Sequence, residues 1–182
     1  MARRGKVFIA NEIYFITFTI LNWTNIFIND KYCNFVYKWF DYMKKYYGNK
    51  INGYVIMPSH IHLLIKITDK SPKLSTLIMN SKRFLAYQIV KELRKDNYFY
   101  KLKLFKNKAS TIDGAHHKCF MNRYDSLIIQ SHKMFLQKLN YIHNNPCSEY
   151  WGLAERQEDY KHSSASNYIC GHGVYDVKIV DI

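Results

Sequence analysis

The chain has 182 residues, enough for one domain with a sizeable core, and a composition of 48% apolar and 16% aromatic residues supplies that core. Twenty-seven Lys and Arg against 14 acidic residues leave a net charge of +13, which points to a polyanionic partner, nucleic acid first. Cys33, Cys119, Cys147 and Cys170 form no C-x-x-C pair, which argues against a zinc knuckle and a compact disulfide framework. No run of 18 apolar residues offers a membrane span and no signal peptide is evident, so a cytoplasmic location is expected.

Residues 1–7 read as a basic arm carrying Arg3 and Arg4, followed by a core over 8–168 and a tail over 169–182, all in one domain. Ile13 to Leu21 is rich in aromatic and β-branched residues and predicts a strand. It would hold Thr17 and Thr19 on one face and Tyr14, Ile16, Phe18 and Ile20 on the other. Asn29-Asp30 is placed to cap a helix running to about Tyr47, with Tyr32, Phe35, Trp39, Met43 and Tyr46 at helical spacing and Gly48 as its stop.

Gly53 to Thr68 then reads as two short strands broken at Pro58-Ser59. The second opens with His60-Ile61-His62, so both imidazoles share a face, roughly 6 to 7 Å apart at about 3.3 Å per residue. Ile61, Leu63, Ile65 and Ile67 line the opposite, core-facing row. Ser71-Pro72 looks like an N-cap with Pro at the first helical position. The helix it opens turns Leu74, Leu77, Ile78, Leu85, Ile89 and Leu93 inward and spreads Lys73, Lys82, Arg83, Lys91, Arg94 and Lys95 over its other faces.

Between 96 and 118, Lys101, Lys103, Lys106 and Lys108 interleave with Tyr100, Leu102, Leu104 and Phe105, a pattern that suits a basic strand or hairpin arm. His116 and His117 are adjacent, would point apart on a strand, and read as surface or nucleic-acid contacts rather than a metal pair. Residues 119–130 lead as a last strand or turn into a helix over 131–145. Phe135, Leu139 and Ile142 form its buried stripe, and Lys138, Tyr141 and Asn145 follow one another on the stripe beside it. Pro146 disfavours helical angles at Asn145 and ends the helix. Ser163 or Ser164 can cap a short last element, and Val174 to Ile182 is either a closing strand or disordered.

His60, His62 and Asn145 are a plausible ligand set for one divalent cation: two imidazoles and an amide oxygen suit Mg²⁺ or Mn²⁺ and leave positions for phosphate oxygens and water. Such a cation is a Lewis acid and template for in-line attack on a phosphodiester. The phenol of Tyr141, with a pKa of about 10 when unperturbed, becomes a workable nucleophile if a cation such as Lys138 stabilises its phenolate. Attack would give a covalent phosphotyrosine. Taken singly, each residue has a plainer explanation, since H-x-H arises by chance on strands and helical tyrosines usually pack. The combination in a strongly basic chain is what points to chemistry.

Tyr54-Val-Ile-Met-Pro-Ser-His-Ile-His-Leu-Leu-Ile65 resembles the signature of the HUH single-tyrosine transposases, in which two histidines flank one hydrophobic residue. Tyr141-Ile-His-Asn-Asn-Pro146 is similar to the tyrosine helix of the REP-associated tyrosine transposases within that superfamily. Tyr14-Phe-Ile-Thr-Phe-Thr19 and Asp159-Tyr-Lys-His-Ser-Ser164 match as well, in the family's order over roughly residues 8 to 168. The resemblance implies an α+β fold, a ferredoxin-like antiparallel sheet flanked by α-helices. It also implies a Mg²⁺- or Mn²⁺-dependent nuclease and strand transferase for single-stranded or hairpin DNA.

In that scheme Tyr141 is the nucleophile, joined to the 5′-phosphate, with His60 and His62 as ligands and Asn145 at the position of a third, polar one. Arg3 and Arg4 of the arm, Lys82-Arg83 and Lys138 are natural DNA contacts, and monomer and homodimer both remain open. The chain departs from the pattern at Ser59, where Asn is common, at His143, where related helices often carry Glu, and over residues 147–153. Two rival functions fit part of the same pattern: a non-catalytic single-stranded nucleic-acid-binding module, and a hydrolytic metallonuclease in which Tyr141 only packs.

Overall fold

The computed structural model describes residues 8–109 and 116–180. Four strands, β1 (Ile13–Thr19), β2 (Lys50–Met57), β3 (His60–Lys66) and β4 (Asp125–Ile128), form one antiparallel sheet in the order β2-β3-β1-β4. Helix α1 (Asp30–Tyr47) connects β1 to β2, and α2 (Leu74–Lys95) with α3 (Phe99–Asn107) connects β3 to β4. This βαββαβ order, with the first and third strands central, is the ferredoxin-like arrangement. A further helix, α4 (His132–Asn144), follows β4, and a short α5 (Ala165–Ile169) closes the described chain. Among the described residues no helix is long and apolar enough to cross a membrane.

Strand alternation divides the core in two. Ile16, Phe18, Tyr54, Ile56, Ile61, Leu63 and Ile65 pack with Val36, Trp39, Phe40, Leu77, Leu85 and Ile89 of α1 and α2. Phe15, Val55, Met57 and Leu64 point the other way and meet Phe135, Leu139 and Ile142 of α4. Both faces of β2 and β3 are therefore covered, which is why these strands are buried along almost their whole length. The predicted inward stripes of α2 and α4 are buried as expected. Gly48 sits at φ 67° as the stop of α1, a conformation in which a side chain would strain the backbone.

Gly53 lets α4 come close. A Cβ there would stand 2.9 Å from Leu139 Cδ1 and 3.2 Å from Ile142 Cδ1, so these two side-chain ends fill the space a methyl would take. Truncating Leu139 to Ala from this contact would cost about 2–5 kcal/mol.

Three expectations need correction. Among its described residues the 96–118 stretch contains no basic strand: residues 99–107 are helix α3, with Phe105 fully buried and Leu102 and Leu104 packed beside it. Asn97, at φ 58°, makes the left-handed turn that separates α3 from α2. Ser71-Pro72 does not cap α2, which starts at Leu74 with Lys73 at the cap position, while the Ser71 hydroxyl donates to Asn49 Oδ1. Residues 174–180 form no strand, yet Lys178 is tied to the β2 edge through its N–H to Ile51 O and its carbonyl from Asn52 Nδ2. Arg3, Arg4 and the rest of the basic arm lie outside the described residues.

Candidate active site

The site lies on the α4 face of the sheet, in a cleft of about 1270 Å³ lined by Phe15, Thr17, His60, His62, Lys138, Tyr141, Asn145 and the aromatic rings of Trp23, Tyr150 and Trp151. Register explains the histidines' neighbours: Thr17 of β1 stands directly opposite His62 and Thr19 opposite His60. The two imidazole rings tilt toward each other to 4.7 Å between centroids, closer than the backbone spacing of the strand alone suggested.

Each imidazole has one nitrogen engaged. Nδ1 of His62 shares a 2.7 Å hydrogen bond with Thr17 Oγ1, and Nδ1 of His60 lies 3.3 Å from Ser59 Oγ. Nε2 of His62 is buried with no partner. In the tautomer whose Nδ1–H donates to Thr17, that Nε2 carries the free lone pair a metal ligand needs. Burial pulls the pKa of His60 down to about 4. Burial, with help from the charges of His60 and Lys138, takes His62 to about 3. Both are neutral at pH 7, the ligand form of imidazole.

Asn145 supplies a second orphan in the same cleft, its buried Oδ1 having no hydrogen-bond partner. Pro146 was expected to push it out of the helical region. Instead Asn145 keeps φ −55° and ψ −45°, and the helix runs on as a 3₁₀ turn over Asn145–Cys147. That continuation keeps Asn145 one turn beyond Tyr141 on the same side of the element. An orphaned buried acceptor costs about 1–3 kcal/mol, and here two of them face one cleft. Among the described residues no three His, Cys, Asp or Glu converge, so a metal in this cleft would need a donor such as this amide beside the two histidines.

Tyr141 is half exposed, its ring edge-on to His62 at 5.3 Å and to Phe15 at 6.1 Å. Lys138 Nζ lies over the rings of Phe15, at 5.1 Å, and Tyr141, at 5.8 Å. Phe15 in turn stacks on His62. The Lys138 charge therefore acts through the ring faces as a cation–π contact.

Several contributors were not legible as site residues. Thr17 was placed on this face but not as the partner of His62. Trp23 and Trp151 flank His60 at 5.4 and 5.5 Å. Trp23 and its neighbour Asn22 adopt φ 55° and 53°, a left-handed pair that a bulky residue adopts only at a cost of about 1–3 kcal/mol, and Trp23 remains 56% exposed at the cleft.

Lys82 and Arg83 sit elsewhere, on α2 across the sheet. The Lys82 ammonium is committed to the carbonyls of Met121, Asn122 and Arg123 at 2.8, 3.2 and 3.2 Å, so it fixes a loop rather than standing free for phosphate. His143, in the last turn of α4, is buried, bonded to Ser164 Oγ at 2.8 Å, and does not line the cleft.

No protein-family model and no curated protein matches the sequence. Among solved structures, one of a REP-associated tyrosine transposase bound to a REP hairpin covers 100% of this chain and 95% of its own, with a TM-score of 0.65 and 16% identity. The chain has the fold of a REP-associated tyrosine transposase. A candidate transposase of Deinococcus radiodurans R1 aligns over 79% of this chain and 97% of its own at 17% identity, with a TM-score of 0.40.

Proposed function

We propose that the protein is a metal-dependent transposase that nicks and rejoins single-stranded DNA, next to a hairpin, through a covalent 5′-phosphotyrosine at Tyr141. The observation that carries this reading is the coincidence, in one cleft, of the orphaned His62 Nε2 and Asn145 Oδ1 with the Tyr141 ring. The hairpin DNA held by the structural neighbour supports the choice of substrate.

His60, His62 and Asn145 would hold Mg²⁺ or Mn²⁺, which when bound supplies Lewis-acid stabilisation of negative charge on the scissile phosphate. Tyr141 Oη, having lost its proton, attacks phosphorus in line. The P–O3′ bond breaks, the 3′ oxygen takes up a proton, and the 5′-phosphate stays on the tyrosine. The energy of the broken diester is retained in the new one, so a second 3′-OH can attack and release Tyr141. Lys138 raises the positive potential around the phenol, and Trp23 and Trp151 offer ring faces on which unpaired bases stack.

The test is a denaturing gel of labelled single-stranded oligonucleotides, incubated with protein and Mn²⁺ or Mg²⁺, with Tyr141→Phe alongside. The expected result is a metal-dependent protein–DNA adduct that Tyr141→Phe lacks. Cleavage that survives in Tyr141→Phe would make water the nucleophile and the protein a hydrolytic nuclease. Binding with neither adduct nor cleavage would make it a binding module.

A further inference from the structure

Part of the positive charge outside the catalytic cleft lies along a second groove. A groove of about 930 Å³ lies between α2 and residues 116–122, with Arg83, Lys91, Arg94 and Lys118 on its walls. Lys118 and Asn122 line both this groove and the catalytic cleft, so the two run into each other over the 118–122 segment. That segment is bonded to the end of β1, through Leu21 N–H to Cys119 O and Met121 N–H to Thr19 O.

Helix α2 sorts its charges by side. Glu92 and Asp96 turn to Lys31 of α1, at 4.0 and 2.5 Å. Arg83, Lys91, Arg94 and Lys118 have no carboxylate partner among the described residues, and no acidic residue among them lines the groove. Arg83, Lys91 and Arg94 are exposed, and they span about 16 Å of helix at 1.5 Å per residue. Burial, together with the charges of Arg94, His116 and Lys106, holds His117 in the groove below the usual histidine range, as expected where cations gather without a counterion.

The wall between groove and cleft is fixed by Lys82. Burial lowers its pKa to about 8, which still leaves it charged at pH 7 and bonded to three successive carbonyls. Each of those carbonyls belongs to a residue that lines the cleft. At the α2 side of the groove Tyr87, 66% exposed, offers a ring face for an unstacked base.

We propose that this groove binds the phosphodiester backbone of the same DNA strand whose scissile phosphate occupies the catalytic cleft, the strand passing over Lys118 onto Arg83, Lys91 and Arg94. The inference rests on the proposed function for the identity of the strand, and adds where that strand goes. Lys82 is a positioning residue that shapes the passage, while the exposed cations make the contacts.

The test measures binding alone, in full-length Tyr141→Phe protein, by fluorescence anisotropy across a salt series. The probes are hairpin oligonucleotides with single-stranded flanks lengthened stepwise on either side. The triple variant Arg83→Gln, Lys91→Gln, Arg94→Gln should lower the slope of log affinity against log salt by about 2, near 0.7 for each lost phosphate contact on a single strand. It should also lose the gain in affinity that comes with longer flanks. Lys44→Gln, Lys50→Gln, Lys70→Gln removes the same charge elsewhere, and melting curves of both variants confirm folding.

An unaltered slope in the groove variant overturns the inference, as does an equal drop in the control. Groove-dependent binding seen with RNA but not with DNA of the same sequence overturns it too. The gel assay keeps the two readings separate. An adduct with no groove dependence removes the groove alone, and groove dependence without an adduct removes the phosphotyrosine alone.

Discussion

The described chain buries four histidines, His60 and His62 beside the cleft and His143 and His162 away from it, and they differ in what their nitrogens meet. His143 and His162 bond to side chains of other elements. His143 Nε2 bonds Ser164, and His162 uses both nitrogens, Nδ1 with Tyr37 Oη at 2.9 Å and Nε2 with Asp30 Oδ1 at 3.0 Å. His60 and His62 are buried as deeply, yet His62 Nε2 faces an open cleft without a partner. Burial alone therefore does not mark a functional imidazole. A buried imidazole whose free nitrogen opens on a cleft is the better candidate, because a ligand bound there would relieve its desolvation.

The sharpest way to break this comparison is to delete one histidine from each pair. His62→Ala should lower metal-dependent adduct formation by more than the roughly hundredfold that loss of an outer hydrogen-bond partner costs a metal site. Its urea midpoint should fall too, since the ring also bonds Thr17 and stacks on Phe15, so adduct yield is counted per folded molecule. His143→Ala should likewise cost about 2 kcal/mol or more through a lost hydrogen bond and a cavity, but with adduct yield per folded molecule retained. If His143→Ala loses adduct yield per folded molecule as His62→Ala does, the division is wrong.

All four buried histidines should weaken the fold in acid, because burial lowers the pKa of each. Burial holds His143 at about 4 against an ordinary 6.5, so the unfolded chain takes up its proton first. Stability is then complete above about pH 6.5 and falls as pH drops toward 4, by roughly 3 kcal/mol for a shift of this size. His162, also lowered by burial but partly restored by Asp30, acts in the same direction. Urea melts at pH 7.5, 5.5 and 4.5 measure the loss, and His143→Gln should remove its share while His60 and His62 keep theirs.

A smaller effect tests orientation. Thr17→Val removes the hydroxyl that fixes His62 and should weaken Mn²⁺ binding by about 10- to 100-fold in calorimetric titration, with Thr17→Ser restoring it. The mildest change is Asn145→Asp, which replaces an amide oxygen by a carboxylate and should tighten Mn²⁺ severalfold. Weaker binding there would remove Asn145 from the ligand set.

The parts of this site that share an element with its motif were legible in the sequence. Strand alternation put His60 and His62 on one face, and helical spacing put Lys138, Tyr141 and Asn145 on one stripe. Contributors from other elements were not. Thr17 meets His62 only through the β1–β3 register, and Trp23 reaches His60 only because two successive residues turn left-handed. Helix α3 was misread for a different reason. Over nine residues its alternating lysines mimic a strand period, and the single fully buried residue, Phe105, carries too little pattern to decide. Lys82 looked like a free surface cation because nothing local announces that three carbonyls from residues 121–123 will surround it.

The close seating of α4 over Gly53 has a consequence for how the joint between sheet and helix takes change. Tyr141 and the two histidines sit on different elements, and Gly53 lies where those elements meet. A methyl at residue 53 would press first on the tips of two flexible side chains, Leu139 and Ile142, so the seam is a padded joint: it absorbs a small intrusion by rearranging side chains before the backbone of either element has to move.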